Sequence, residues 1–270
     1  MDEAKFSRSH LAIKYLIYIL TSSNRNGHGI HSPFVFDFVV HVLQKKQQVH
    51  PHINHIESLR RELLGSFESI PNEDLGAGSS QISGNSRSIS SIAKSALKPP
   101  KYARLLYRIA SYYKPNSILE LGTAFGLTTQ YLALANTNAR VITIEGSPTI
   151  ANIAQQGFEK NDCKNIELIV GDFSNELGKA VMRLEGIKLF YIDGNHRYES
   201  TMQYFSEILS VSGEDDILIF DDIHWSKGME NAWQEIKKDG RVRCTVDLFF
   251  IGLVFLKKSF LEKQDFVIQF

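Results

Sequence analysis

From about residue 115 onward, short β-rich runs alternate with helical patterns, and this alternation constrains the fold more than any other feature of the chain. SILEL (117–121), RVITIE (140–145), IELIVG (166–171), IKLFYID (187–193) and DILIFDD (216–222) read as strands. Helical segments lie between such runs. In 226–238, for example, Met229, Ala232, Trp233 and Ile236 fall at i, i+3, i+4 and i+7 and give one apolar face. Strand–helix–strand repetition of this kind builds a parallel sheet covered by helices, the doubly wound α/β class. Two further runs, RVRCTVDL (241–248) and FIGLVFLKK (250–258), have no helix between them and predict an antiparallel hairpin at one edge. The expectation is a seven-stranded sheet closed by a C-terminal hairpin.

The first 114 residues carry no convincing strand. Ser32 and Pro33 give a cap and a first helical position for SPFVFDFVVHVLQKK, and Tyr102, Leu105, Leu106, Ile109 and Tyr113 share one helical face. Between about 65 and 100 the chain is rich in Ser, Gly and Asn, which reads as a long loop or lid. The domain map is therefore a helical N-terminal extension over 1–114 and an α/β domain over 115–270.

Composition narrows the partners. In 270 residues, 43% hydrophobic, there is enough apolar material for a full core. Thirty basic and thirty acidic residues cancel, so no basic face is expected and nucleic acid is not an expected partner. Cys163 and Cys244, the two cysteines, stand far apart in no metal-like spacing, as in proteins of a reducing compartment. LAIKYLIYIL (11–20) is too short to span a bilayer and carries Lys14. The reading is a cytoplasmic protein without membrane insertion.

Two stretches look like ligand-binding glycine loops: EDLGAGSS (73–80) and ILELGTAFGL (118–127). A loop that wraps a nucleotide needs a buried strand before it and a helix after it, so that backbone N–H groups point at the ligand. The second stretch supplies both. The first has Pro71 and Asn72 before it and Gly84 and serines after it, and is read as a lid or a surface loop. Gly122 and Gly126 are spaced G-x-x-x-G, which is neither the dinucleotide fingerprint nor a P-loop and suits a nucleoside without phosphates. Glu145 ends the second strand about 20 residues on, where an acid accepts ribose hydroxyls. Asp172, just past the third strand, can accept from an exocyclic amine.

In this order the features resemble the class I S-adenosylmethionine-dependent methyltransferases, with a Rossmann-like sheet, over roughly 115–258. The resemblance implies S-adenosylmethionine as cofactor. Glu120, Gly122, Thr123 and Gly126 would surround its amino-acid part and sulfonium side, Glu145 would hold its ribose and Asp172 its adenine.

Three acids sit at the ends of the fourth and fifth strands: Asp193, Asp221 and Asp222. Carboxylates converging there repel unless a cation lies between them, and hard oxygen donors suit Mg²⁺, with Mn²⁺ or Ca²⁺ as alternatives. These positions resemble the divalent-metal-dependent catechol and caffeoyl-type O-methyltransferases. That subgroup often carries a basic residue three positions after the first Asp, here His196. By the resemblance the metal acidifies a substrate hydroxyl, His196 takes its proton, and the oxygen attacks the methyl group. The chain departs from the pattern in keeping Asp222 where many relatives have Asn, and His224 could compete as base or ligand. IDGNHRYE also resembles methyltransferases in which this segment binds no metal; Asp193 then contacts the cofactor or caps the next helix. NGHGIHSPFVF resembles the N-terminal segment of an uncharacterised bacterial methyltransferase group. His28 and His31 within it read as a tight turn before the helix, since a zinc site wants further ligands.

The leading function is methyl transfer to a small-molecule acceptor, at oxygen, with divalent-metal assistance. A metal-independent methyltransferase acting on nitrogen or on a protein side chain, and a catalytically inactive cofactor-binding protein, remain the alternatives. A nicotinamide oxidoreductase is disfavoured by the glycine spacing. Apolar faces on the N-terminal helices would support a homodimer.

Overall fold

The computed structural model describes residues 4–23, 30–44, 51–71 and 86–270. EDLGAGSS and His28 lie outside the described residues, so the lid reading and half of the His28–His31 turn do too. The chain divides into two compact units: Gln47–Gly186, here the central unit, and Met1–Lys46 with Ile187–Phe270, the two-part unit.

In the central unit, β1 (Ser117–Leu121), β2 (Arg140–Glu145) and β3 (Ile166–Val170) run parallel, with β2 in the middle. All five residues of β1 are buried, as a parallel strand covered on both faces requires. The register sets Glu120 against Thr143 and Leu121 against Ile144. The helix Pro100–Tyr113 starts on a proline and ends at Lys114, in a left-handed conformation with φ 49°. Its expected face is buried at Tyr102, Leu105, Leu106 and Ile109. The helix Ile53–Gly65 buries Ile53, Ile56 and Leu63 in one cluster with Ile89, Ile92, Phe125, Leu127 and Tyr131. At about 1.5–3 kcal/mol for each large apolar side chain removed from water, this cluster ties the helix firmly to the loop that carries Phe125. Tyr131 Oη also donates to Glu57 at 2.8 Å, and Arg60 donates to the Lys98 carbonyl at 2.7 Å.

Within the stretch read as loop from 65 to 100, residues Ile89–Ala96 are helical, capped by Ser88, whose hydroxyl accepts from the Ser91 N–H. A short antiparallel ribbon pairs Ser69–Pro71 with Ser86–Ser88, so the first 114 residues are not free of strand. Pairs this short, largely polar and ending on a proline leave no periodic apolar signal.

In the two-part unit, β4 (Lys188–Ile192) and β5 (Ile217–Asp221) are parallel. Next come β6 (Cys244–Asp247) and β7 (Ile251–Phe255), the expected antiparallel hairpin, with β7 also antiparallel to β5. An unforeseen β8 (Gln264–Val267) adds to β6 in parallel, one strand more than the seven expected. Four residues with alternating burial and only two apolar side chains carry too little pattern to be read as a strand.

The N-terminal helix Arg8–Thr21 is fixed within the same unit. Ser7 caps it, Tyr18 Oη donates to the Ile268 carbonyl, and Lys14 pairs with Glu230 at 2.8 Å. The helix Pro33–Phe38 begins on its proline as expected, although the Ser32 side chain makes no capping bond. It passes into a π-helical turn, Val39–Leu43, and Phe34 and Phe38 stand edge-on to Phe255. Among the described residues no helix is long and apolar enough to cross a membrane.

Candidate active site

The glycine loop has the geometry that its flanks imply. Gly122, with φ 99°, and Thr123 turn their N–H groups back onto the Ile144 carbonyl at 3.1 and 3.3 Å. A tight turn follows, Gly126 N–H donating to the Thr123 carbonyl at 2.8 Å. Gly126 has φ 73°, and a Cβ there would lie 2.6 Å from Phe158 Cζ, so both backbone and space demand glycine. The helix Leu127–Ala135 leaves directly from this residue.

Glu120 is fully buried beneath the loop. Its Oε2 accepts from Thr143 Oγ1 at 2.7 Å and from Thr129 Oγ1, while Oε1 has no hydrogen-bond partner. Burial pushes its pKa up to about 7 and the nearby Glu145 adds to the rise, while the two threonine hydroxyls oppose it. A buried carboxylate oxygen without a donor is costly in an isolated protein and is satisfied when a ligand brings one. Glu145, at the end of β2, accepts from the Ala124 N–H at 2.8 Å and from the Ser147 N–H at 3.1 Å. Burial raises its pKa, and those backbone donors hold it back. Asp172 is exposed and caps the helix Phe173–Val181, accepting from the Ser174 N–H at 2.8 Å. Thus Glu120, Gly122, Thr123, Gly126 and Glu145 form one connected array in the central unit, with Asp172 on a cap just after β3.

The other predicted residues are in the two-part unit, where one donor atom from each of Asp193, His196 and Asp221 lies within 4.8 Å of the other two. Asp221 is the last residue of β5 and is completely buried. Asp193 follows β4, and Tyr191 Oη donates to its Oδ2 at 2.8 Å. His196 Nε2 stands 3.6 Å from Asp193 Oδ1. Both Asn195 and His196 have left-handed backbones, φ 67° and 24°, and Asn195 Nδ2 donates to Ser200 Oγ and Tyr204 Oη. Asp222 is not a member of the group; the chain turns there at φ 51°, its N–H donating to the Phe250 carbonyl at 2.7 Å.

His224 is spoken for. Its Nε2 lies 2.9 Å from Asp247 and its Nδ1 3.1 Å from Glu230, which also binds Lys14. Burial alone would lower its pKa, but the two carboxylates outweigh it and raise the value to about 9. With both ring nitrogens engaged, His224 serves neither as the base nor as a ligand, and it ties the segment after β5 to the N-terminal helix.

Sequence reasoning missed Thr129, Thr143 and Tyr191. Tyr191 had a signal: two residues before Asp193 on a strand, it shares the same side of the sheet. Thr143 had none, because its meeting with Glu120 depends on the register between β1 and β2.

A family model described as a methyltransferase domain matches residues 119–223, which is less than half of the chain and runs from β1 to just past β5. No curated protein matches the sequence. Among solved structures, the chain is similar to the SAH-bound methyltransferase PaMTH1 of Podospora anserina. That match has 13% identity and a TM-score of 0.58, over 94% of this chain and 98% of that one. It is also similar to the O-methyltransferase of Bacillus cereus in complex with SAH, at 18% identity and 0.52, over 82% and 97%. A third similar structure is the O-methyltransferase TomG of Streptomyces achromogenes, involved in tomaymycin synthesis and complexed with SAM, at 16% and 0.54, over 81% and 96%. At such identities the likeness is one of fold. Residues 119–223 thus match a methyltransferase domain, and the fold around them is the one these methyltransferase structures share.

Proposed function

We propose that the protein methylates a hydroxyl of a small molecule with the help of a divalent cation. The observation that carries this reading is the convergence of Asp193, His196 and Asp221 at the ends of two paired strands. Two carboxylates and an imidazole in such reach of one another fit a divalent cation. A cation bound there would make an acceptor hydroxyl more acidic. The O-methyltransferases among the similar structures support oxygen as the accepting atom.

The chain's own residues supply the rest. Glu120 offers its free Oε1 to the amino group of the cofactor's methionyl part, and Gly122 and Gly126 let the backbone come close to it. Glu145 accepts from the Ala124 and Ser147 N–H groups and, at the end of β2, would accept from the ribose hydroxyls as well. Asp172, just after β3, would accept from the exocyclic amine of the adenine. Tyr191 orients Asp193, and Asn195 pins the turn that presents His196.

The test is release of S-adenosylhomocysteine from S-adenosylmethionine with a panel of hydroxylated and amine acceptors, with and without EDTA. Turnover on hydroxyl acceptors that EDTA abolishes and a divalent cation restores is expected. Full turnover in chelator would remove the metal, and turnover confined to amines would remove the oxygen acceptor.

A further inference from the structure

We infer that His196 is itself a ligand of the cation and not the acceptor of the substrate's proton, and that the site favours a nitrogen-accepting divalent ion such as Zn²⁺ over Mg²⁺. This rests on the metal-assisted reading above and departs from the role that resemblance assigns to His196.

Three observations carry it. The first is spacing. Nε2 of His196 is 3.6 Å from Asp193 Oδ1, longer than a hydrogen bond between such groups. Two donors that each sit about 2.0–2.2 Å from one ion are roughly 3–3.5 Å apart, so the pair is set for a shared cation with little adjustment. Asp221 closes the group, one donor atom from each residue lying within 4.8 Å of the other two, while Asp222 does not belong to it.

Orientation is the second. Tyr191 Oη takes Oδ2 of Asp193 at 2.8 Å and leaves Oδ1 as the atom that meets His196. A hydrogen bond from outside that aims a carboxylate in this way is the usual support of a metal ligand.

The third is rigidity of the histidine's own backbone. His196 follows Asn195 in a left-handed turn, and Asn195 is bonded to Ser200 and Tyr204 of the helix Tyr198–Val211. The imidazole is therefore carried on a braced turn beside the two acids, as a ligand must be.

The choice of ion follows from the donor set. Mg²⁺ takes oxygen donors and gives up its waters reluctantly, whereas imidazole suits zinc, iron and nickel. Replacing one carboxylate by an imidazole lowers the negative charge of the site and moves its preference along the first-row series. On this assignment the acceptor's proton leaves to solvent, and His196 has no lone pair to receive it.

Two measurements on the full-length protein test the inference without relying on turnover. Pulsed electron paramagnetic resonance of the Mn²⁺-loaded wild type is expected to show a ¹⁴N coupling that Asp193→Asn and His196→Gln both abolish and Asp222→Asn keeps. By calorimetry, His196→Gln is expected to lose at least about tenfold in Zn²⁺ affinity and less than about threefold for Mg²⁺, with thermal melting confirming that it is folded. Bound Mn²⁺ with no nitrogen coupling in the wild type, or Zn²⁺ affinity unchanged in His196→Gln but lost in Asp193→Asn, would overturn the ligand role and leave metal assistance standing. If the wild type binds none of the three ions, both readings fall together.

Discussion

Glu145 accepts a hydrogen bond from the Ala124 N–H at 2.8 Å, so the acid that ends β2 holds the loop that follows β1. Ala124 has φ 47°, a left-handed conformation that L-residues avoid, and the bond from Glu145 helps to hold it there. One carboxylate thus shapes the glycine loop, and on the function proposed above it also binds the cofactor's ribose. Glu145→Ala is expected to weaken S-adenosylmethionine binding by at least about tenfold and to cost roughly 1–2 kcal/mol of stability. Calorimetry and urea unfolding measure the two effects separately, and an unchanged cofactor affinity would remove Glu145 from the site.

Gly126 faces the Phe158 ring at a distance that a methyl group cannot share. Gly126→Ala is therefore expected to destabilise the protein by roughly 2–4 kcal/mol, from the positive φ and the overlap together. A shift in the urea midpoint of less than about 0.5 kcal/mol equivalent would mean that the helix Pro148–Lys160, which carries Phe158, can retreat at little cost.

Glu120 makes stability depend on pH. Its pKa, ordinarily 4.5, rises to about 7 in the folded chain, chiefly through burial. The folded state therefore holds the proton more tightly than the unfolded one. The resulting stability is fully present below about pH 4.5 and is lost as pH climbs to about 7, a change on the order of 3 kcal/mol. Glu120→Gln keeps a carbonyl for Thr129 and Thr143 and removes the charge. The variant is expected to be more stable than the wild type at pH 8, with the difference vanishing near pH 4. Parallel urea curves across that range check it.

The imidazolium of His224 lies between Asp247 and Glu230, with its ring 5.1 Å from that of Phe249. Removing it leaves Asp247 buried without its imidazolium partner, while Lys14 and the exposed Lys227 reach Glu230. His224→Ala is expected to cost roughly 2–4 kcal/mol. The N-terminal helix should loosen with it, and amide exchange over Arg8–Thr21 reads that directly.

The fold class was legible because its signals are local. Parallel strands buried on both faces read as apolar runs, and Met229, Ala232, Trp233 and Ile236 are all buried where their spacing predicted. β8 was illegible for the opposite reason, since QDFV becomes a strand only by pairing with β6. Among the site residues, those adjacent to strand ends stood out in the sequence: Glu120, Glu145, Asp193 and Asp221. Asp222 shows the limit of that reading. It neighbours Asp221 in sequence, yet a left-handed turn begins there and it stays outside the group that Asp221 joins.

The sequence by itself determined the order of strands and helices, the glycine loop at 122–126 and the acids that end the strands, because hydrophobic period and backbone preference are properties of neighbours along the chain. Tertiary structure alone decided that Glu120 is clasped by Thr129 and Thr143, that His224 is locked between two carboxylates, and that His196 comes within reach of Asp193 and Asp221. Those meetings depend on strand register and on turns that bring distant residues within bonding reach, and no local pattern encodes such distances.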